Sequence, residues 1–276
     1  MNILWGMLIT VAVAAVAVAA MLFVRARAPE GSYFTDGDRA SGVFGVLATG
    51  FSILLGFVVF LAFTSYDNSR SGAETEALMV LQQVETARAF PAPTGPKATG
   101  ELICYGRSVV HEEWDRMRAG TLGDEVNPWG VRLFETLSAY EPKTNHEQSA
   151  YDAWLGQTSA RQEARLDRVH ASSGVIPATL WIVLFVIGGV IFVYMLFFAD
   201  SGEARRTQAM LMGSVTVVIT MLFLLLVSLD RPYHKGVGSL KPFAMERSLR
   251  IVDEALAAVR AEVTVPCNED GVGPAS

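Results

Sequence analysis

Four stretches of this chain stay apolar over about 20 residues, the length a helix needs to cross a hydrocarbon layer of about 30 Å. They run from about Ile3 to Val24, Gly42 to Thr64, Pro177 to Ala199 and Ala209 to Leu229, and none has an ionisable residue in its interior. The first has the wrong layout for a cleaved secretory signal: Met1-Asn2 carries no positive charge, the apolar run is too long, and Arg25 and Arg27 follow it. All four are read as retained membrane helices.

Composition supports a protein divided between lipid and water. Of 276 residues, 51% are hydrophobic and 18% charged, and mean hydropathy is +0.33. That is too apolar for an ordinary soluble domain and too charged for a chain held wholly in lipid. Four crossings put both termini and the long segment 66–176 on one side of the membrane. The expected organisation is two membrane helices (1–66), a helical extramembrane domain (67–176), two more membrane helices (177–230), a C-terminal helical segment packing on that domain (231–265) and a flexible tail (266–276).

Charge speaks to orientation and to partners. The two short loops carry Arg25, Arg27, Arg39, Arg205 and Arg206, which the positive-inside rule assigns to the cytoplasm. Arg70, Arg161, Arg165, Arg168, Arg231 and Lys235 compete from the other face, so the lean toward an external domain is small. The formal net charge of -6 argues against a nucleic-acid partner. Cys104 and Cys267 permit one bridge or two free thiols, and free thiols are the expectation.

Between the second and third windows, apolar residues recur at spacings of three and four, which is helical. Ala73, Ala77, Leu81 and Val84 form one stripe; Leu102, Tyr105, Val109 and Met117, with Trp114 near them, form another. Leu133, Phe134, Leu137 and Tyr140 make a third, and Tyr151, Trp154, Leu155, Leu166 and Val169 a fourth. Helix breaks are expected at "FPAPTGPKATG", "GTLGDEVNPWG" and "YEPKTNHEQS". A last amphipathic helix, about Phe243 to Val263, is expected to pack through Leu249, Val252, Leu256 and Val259.

Constellations for chemistry are sparse. His111-Glu112-Glu113 and His146-Glu147 lack the paired histidines of a helical zinc site. Phosphate loop, nucleophile elbow and CxxC motifs are missing from the sequence. The reading is therefore no enzyme, no catalytic residues, no metal and no cofactor.

The second window carries two distinct faces. Ala48, Ser52 and Gly56, at i, i+4 and i+8, make a small-residue face for close helix packing in lipid. Thr49, Ile53 and Phe57 lie about 100° around the axis and form a larger apolar face. Both faces suit ordinary helix packing; in a symmetric oligomer, stacked rings of the second set would form a hydrophobic constriction that gates by dewetting.

"ILLGFVV" followed by "SYDNSR", with Leu55-Gly56-Phe57 at its centre, resembles the second membrane helix of the bestrophin channels. The wider chain resembles a bacterial bestrophin-like membrane family of unknown function. The matching positions are Glu76-Ala77, Arg88 to Pro91, Tyr105, Glu113-Trp114, Arg161 with Arg165-Leu166, Pro177 with Leu180-Trp181, and Leu229-Asp230-Arg231-Pro232-Tyr233. Tyr233 stands where Phe is expected, true bestrophins lack the Leu-Asp-Arg-Pro signature, and no acidic calcium clasp is evident.

This resemblance implies an all-α membrane protein that acts as a passive channel for small inorganic anions such as chloride. It also implies a homo-oligomer, pentameric if it follows the bestrophins, in the bacterial inner membrane. Aligned on Gly56, the bestrophin neck falls on Thr49, Ile53 and Phe57. Ionisable groups, which proton-coupled transporters place inside their helices, are missing from the four windows, which suits a passive pore. The resemblance also implies a cytoplasmic domain and termini, and that placement is the expectation despite the arginines. The rival reading is a non-conducting sensor or scaffold acting through the helical domain.

Three further features have structural and functional readings. Arg161, Arg165 and Arg168 share a helical face that can draw anions or hold lipid phosphates; the plainer reading is a solvated or salt-bridged face beside Glu163 and Asp167. Pro232 stops the fourth helix, with Asp230 and Arg231 pairing or anchoring at headgroup level. Trp114 is expected to pack and Glu113 to pair with a basic residue of the bundle.

Overall fold

A computed structural model describes residues 3–122 and 125–273. It is helical throughout the elements it forms: α1 (Ile3–Arg25), α2 (Gly37–Ala87), α3 (Thr94–Ser108), a π-helical turn (Val109–Glu113), α4 (Trp114–Ala119), α5 (Pro128–Ser138), α6 (Asn145–His170), a 3-10 turn (Ala171–Ser173), α7 (Ala178–Phe197), α8 (Arg205–Asp230) and α9 (Phe243–Ala258). Four of these helices, α1, α2, α7 and α8, are long and apolar enough to span a membrane. The chain is an all-α membrane protein with a helical extramembrane domain.

The helices group into two compact units, Met1–Ser65 with Gly174–Ser239, and Tyr66–Ser173 with Leu240–Ser276. Helix α2 serves both. It has 51 residues, about 76 Å at 1.5 Å per residue. Gly and Pro are missing between Phe57 and Arg70, so nothing in the sequence interrupts its backbone ladder where the apolar stretch gives way to Tyr66-Asp67-Asn68.

In the membrane unit, Phe51, Leu55, Val58 and Ala62 of α2 pack with Leu184 and Ile191 of α7 and Leu226 of α8. A smaller cluster joins Ala17 and Met21 of α1 to Ala199 and Met212. The two short loops are tied to each other: Arg25 donates to the Ser201 carbonyl at 2.8 Å, and Asp200 accepts from the Gly31 N–H at 3.0 Å. Asp230 accepts from the N–H groups of Val175 and Ile176, both at 2.8 Å, which satisfies backbone donors at the entrance to α7. Asp230 thus serves a backbone turn, and Arg231 beside it is exposed.

In the helical domain, local signals place the helix starts. The Asn127 side chain accepts from Trp129 N–H at 3.0 Å with Pro128 as the first helical residue of α5, an N-cap and a Pro where no N–H is needed. Thr144 caps α6 by accepting from the Glu147 N–H at 3.2 Å, and the Glu147 carboxylate accepts from the Lys143 N–H at 2.9 Å. Pro96 falls in the first turn of α3, so the expected break across "FPAPTGPKATG" narrows to residues 88–93. The first turn has no N–H partners to lose, and a proline is tolerated there.

Gly72 marks where α2 and α6 nearly touch. A Cβ there would lie 2.7 Å from both the Ala164 carbonyl oxygen and the Arg168 nitrogen. The bare backbone lets the two helices approach closely enough for their side chains to meet around Glu76 and Arg168.

Several expectations need correction. Cys104 and Cys267 are joined in a disulfide, S–S 2.04 Å. The segment 266–273 is not a loose tail: beyond the disulfide, Trp129 donates to the Gly271 carbonyl at 2.7 Å, and Asn268 accepts from the Val272 N–H at 2.8 Å. Residues 274–276 lie outside the described residues. Helix α9 ends at Ala258 and buries Met245, Ser248 and Val252, leaving Val259 exposed, because the periodicity stops one turn earlier than expected.

Candidate functional site

Within the membrane unit, the three predicted neck residues share one face of α2. Thr49 is exposed, Ile53 is 69% exposed and Phe57 59%. Val46 and Phe60, one step away along the same face, are exposed too. The opposite face of the helix, Phe51, Leu55 and Val58, makes the subunit's own core. The neck triad therefore faces away from the bundle it belongs to.

Ala48, Ser52 and Gly56 line a groove of about 480 Å³ with Ile191, Val215 and Ile219. The Ser52 hydroxyl donates to the Ala48 carbonyl at 2.8 Å, which satisfies it without an interhelical partner. A Cβ on Gly56 would meet nothing within 4 Å. Among the described residues, no helix covers Ser52 and Gly56, which are exposed, and with half-buried Ala48 they line an open apolar groove.

The helical domain holds a charged core. Arg168 is fully buried, donating to Glu76 Oε2 through Nε at 2.5 Å and to Oε1 through Nη2 at 3.0 Å. Its Nη2 also reaches Glu113 Oε2 at 2.5 Å. Arg165 donates from Nη2 to Glu113 Oε1 at 2.8 Å and to the Glu125 carbonyl at 2.7 Å. Tyr105 donates to Glu76 Oε1 at 2.5 Å, and Asn127 donates to Glu113 at 2.9 Å. Two carboxylates are met by two guanidiniums and two neutral donors, the condition under which buried charge is tolerated.

Arg161, 2% exposed, continues the network with neutral partners. It donates to Gln83 Oε1 at 2.8 Å and stacks over the Tyr105 ring at 4.6 Å. Trp114 is buried, lies 5.7 Å from the Arg168 guanidinium carbon and donates to the Leu240 carbonyl at 3.3 Å.

The π-helical turn explains how Glu113 reaches this core. Its extra residue per turn shifts the face that follows, leaving Glu112 at the surface and turning Glu113 and Trp114 inward.

The electrostatics follow from this arrangement. Burial pushes the Glu113 carboxyl up, but Arg168 and Arg165 beside it more than reverse that and hold it below the usual carboxylate range. Burial lowers Arg168, and Glu76 and Glu113 then raise it well above its ordinary value. Tyr105 is raised by burial first and by the Glu76 charge second. Arg161 is lowered by burial, which Tyr105 and the nearby Glu76 charge offset only in part.

The arginine reading from sequence therefore requires correction. Arg161 and Arg168 are buried and satisfied internally, so neither is available to a permeant anion or a lipid phosphate. The ion-paired half of the plainer reading holds for Arg165 and Arg168, with Glu76 and Glu113 as the carboxylates, while Arg161 meets Gln83 and the face is buried where a solvated one was expected. Helix α6 presents Trp154, Arg161, Ala164 and Arg168 inward, whereas Leu155 and Leu166, expected in the packing stripe, face out. Apolar periodicity alone missed this inversion; the family-pattern positions Glu76 and Glu113 were its available signal.

The outward leucine belongs to an apolar patch on the helical domain. Phe134 is 64% and Leu166 67% exposed, with Val126 and Val131 beside them. Elsewhere in the domain, a cavity of about 910 Å³ is lined by Lys97, Glu101, Arg132, Glu135, Tyr140 and Glu262, among others. Glu101 Oε1 accepts from Thr136 at 3.1 Å, while Oε2 is buried without a hydrogen-bond partner, and burial raises this carboxyl.

Residues 3–242 match the family model for the Bestrophin-like domain. Among solved structures, the chain is similar to a bacterial bestrophin homologue from Klebsiella pneumoniae. The identity is 14% and the TM-score 0.66, over 92% of this chain and 99% of that one. Two mutant structures of a Klebsiella pneumoniae bestrophin homologue align at 13% and 14% identity, with TM-scores of 0.66 and 0.65, over 92% and 91% of this chain and 99% of each of theirs. No curated protein matches the chain at a significant level.

Proposed function

Because the chain belongs to the bestrophin-like family, matched over residues 3–242, we propose that it is a passive ion channel of the bacterial inner membrane. In this reading it is a homo-oligomer, a pentamer on the bestrophin pattern, with α2 of each subunit lining an axial path. Thr49, Ile53 and Phe57 supply stacked rings that form a hydrophobic neck, which gates by dewetting. Small inorganic anions, chloride among them, are the permeant ions that the family suggests.

One observation carries the reading: the neck triad is exposed on the subunit while the other side of the same helix is its core. A face that only packed the chain's own bundle would be covered by it. The apolar patch around Phe134 and Leu166 supports an oligomer, since such area on a water-facing domain is ordinarily buried by a partner. Asp67, 18 residues after Thr49, falls on the same helical face by the 100° rule, so sodium is tested beside chloride.

The test is ion flux into liposomes holding the purified protein, with chloride and sodium arms, comparing the native chain with Phe57→Ala. Flux that rises on trimming the ring supports a hydrophobic gate. Absence of flux from both, with insertion verified, favours the alternative, a non-conducting sensor or scaffold. The Glu101-lined cavity is the observation on the side of that alternative.

A further inference from the structure

We propose that the helical domain faces the oxidising, extracytoplasmic side of the membrane and that the two short loops face the cytoplasm, the reverse of what the bestrophin resemblance implies. Two independent observations carry this, and neither depends on whether the protein conducts.

The first is the disulfide. Cys104 and Cys267 are the chain's two cysteines, and they are bonded to each other across 163 residues of sequence. Cys104 is buried in α3, and the bond anchors the segment that also gives the Gly271 carbonyl to Trp129. Structural disulfides form and persist in oxidising compartments, whereas cytosolic thiols are kept reduced. Closing the bond removes one proton and one electron from each thiol. A disulfide-exchange oxidant of the cell envelope accepts both electrons.

The second is the arginine distribution, weighed by segment length. The positive-inside rule operates over loops up to about 60 residues, because longer ones translocate largely regardless of charge. The segment 66–173 is far longer than that, so only its ends, where Arg70, Arg161, Arg165 and Arg168 lie, enter the comparison. The two short loops carry Arg25, Arg27 and Arg39 around one and Arg205 and Arg206 at the other. After α8 stand Arg231, Lys235, Lys241, Arg247, Arg250 and Arg260. The raw counts stay close, but all five loop arginines lie within four residues of an apolar window, where Arg231 alone does so on the other face, and this crowding points the same way as the disulfide.

With this orientation, the Glu101-lined cavity and the Phe134–Leu166 patch meet extracytoplasmic solutes and partners, not cytosolic ones. Any ligand that regulates the protein through its domain is then an external one.

The test uses the full chain in intact bacterial cells. Ser149 of the domain and Thr35 of a short loop are both exposed; Ser149→Cys and Thr35→Cys are each probed with a membrane-impermeant maleimide before and after the membrane is opened. Ser149→Cys is expected to label in intact cells and Thr35→Cys only after opening. In the unsubstituted chain, quenched in acid at harvest, neither native cysteine is expected to take up a maleimide-polymer tag until reductant is added, whereupon both shift on a gel. Labelling of Thr35→Cys with protection of Ser149→Cys, equal labelling of both in intact cells, or free native thiols at harvest would each overturn the proposal. The gel shift needs no substitution, so it stands even where a variant inserts badly.

Discussion

The two units of this protein solve the problem of a helical core in opposite ways. The membrane unit buries Phe51, Leu55, Val58, Leu184, Ile191 and Leu226, side chains with no polar atoms. The helical domain buries Glu76, Glu113, Arg161 and Arg168 at its centre, with Tyr105, Gln83 and Asn127 closing the network. In lipid the surroundings are as apolar as the core, so helices associate through shape and close contact. In water, apolar area would be enough to fold the domain; a charged core adds the requirement that every carboxylate find its donor in one arrangement only. Substitutions of similar size should therefore have unequal consequences in the two units.

The largest effect is expected at the charged core. Arg168→Met keeps the length of the side chain but leaves Glu76 and Glu113 without their shared cation. Breaking a buried pair this way costs about 3–5 kcal/mol, which should appear as a large fall in the thermal midpoint of detergent-solubilised protein. Glu113 also makes the domain acid-sensitive. Its folded pKa is depressed, so its contribution is present above the unfolded carboxylate range and is lost as pH falls through the folded value. Unfolding midpoints measured downward from pH 5 should drop more steeply for the native chain than for Glu113→Gln.

Next in size is the disulfide. Cys104→Ser releases the segment 266–273, with an expected cost of about 2–4 kcal/mol; limited proteolysis of that segment should rise in step. A weaker response would mean that the Trp129 to Gly271 bond alone holds the chain end.

The membrane unit should be far more permissive. Leu184→Met, a volume-conserving change at a fully buried position, is expected to cost less than about 1.5 kcal/mol. A cost comparable to that of Arg168→Met would break the contrast between the units.

The smallest expected effect has the opposite sign. Glu101 is a buried carboxylate with an unpartnered oxygen and a raised pKa, so its ionised form opposes folding at neutral pH. Glu101→Gln should stabilise the domain by about 1 kcal/mol, and the gain should shrink as pH falls and the native carboxyl protonates.

The unequal legibility of the two units follows from the same contrast. Membrane spans are read from unbroken apolar length, and the four windows match α1, α2, α7 and α8 to within a turn or so, apart from the continuation of α2 to Ala87. In the domain, apolar stripes leave out Glu76, Gln83, Arg161 and Arg168, which occupy buried helical positions, and take in Phe134 and Leu166, which face out. A polar residue in a helical stripe reads as exposed unless its partner is known, and the partners here lie 29 to 92 residues away.

By itself, the sequence determined the membrane class, the number of spans, the helical character of the domain and the face of α2 that carries Thr49, Ile53 and Phe57. These depend on local length and periodicity, which a linear chain displays. Only the tertiary structure decided that this face is left uncovered by the subunit, that two arginines lie inside the domain, and that Cys104 meets Cys267. Each of those outcomes depends on which distant side chains share a site: a guanidinium is stable in a core only where carboxylates converge on it, and two thiols bond only where the fold brings them into contact.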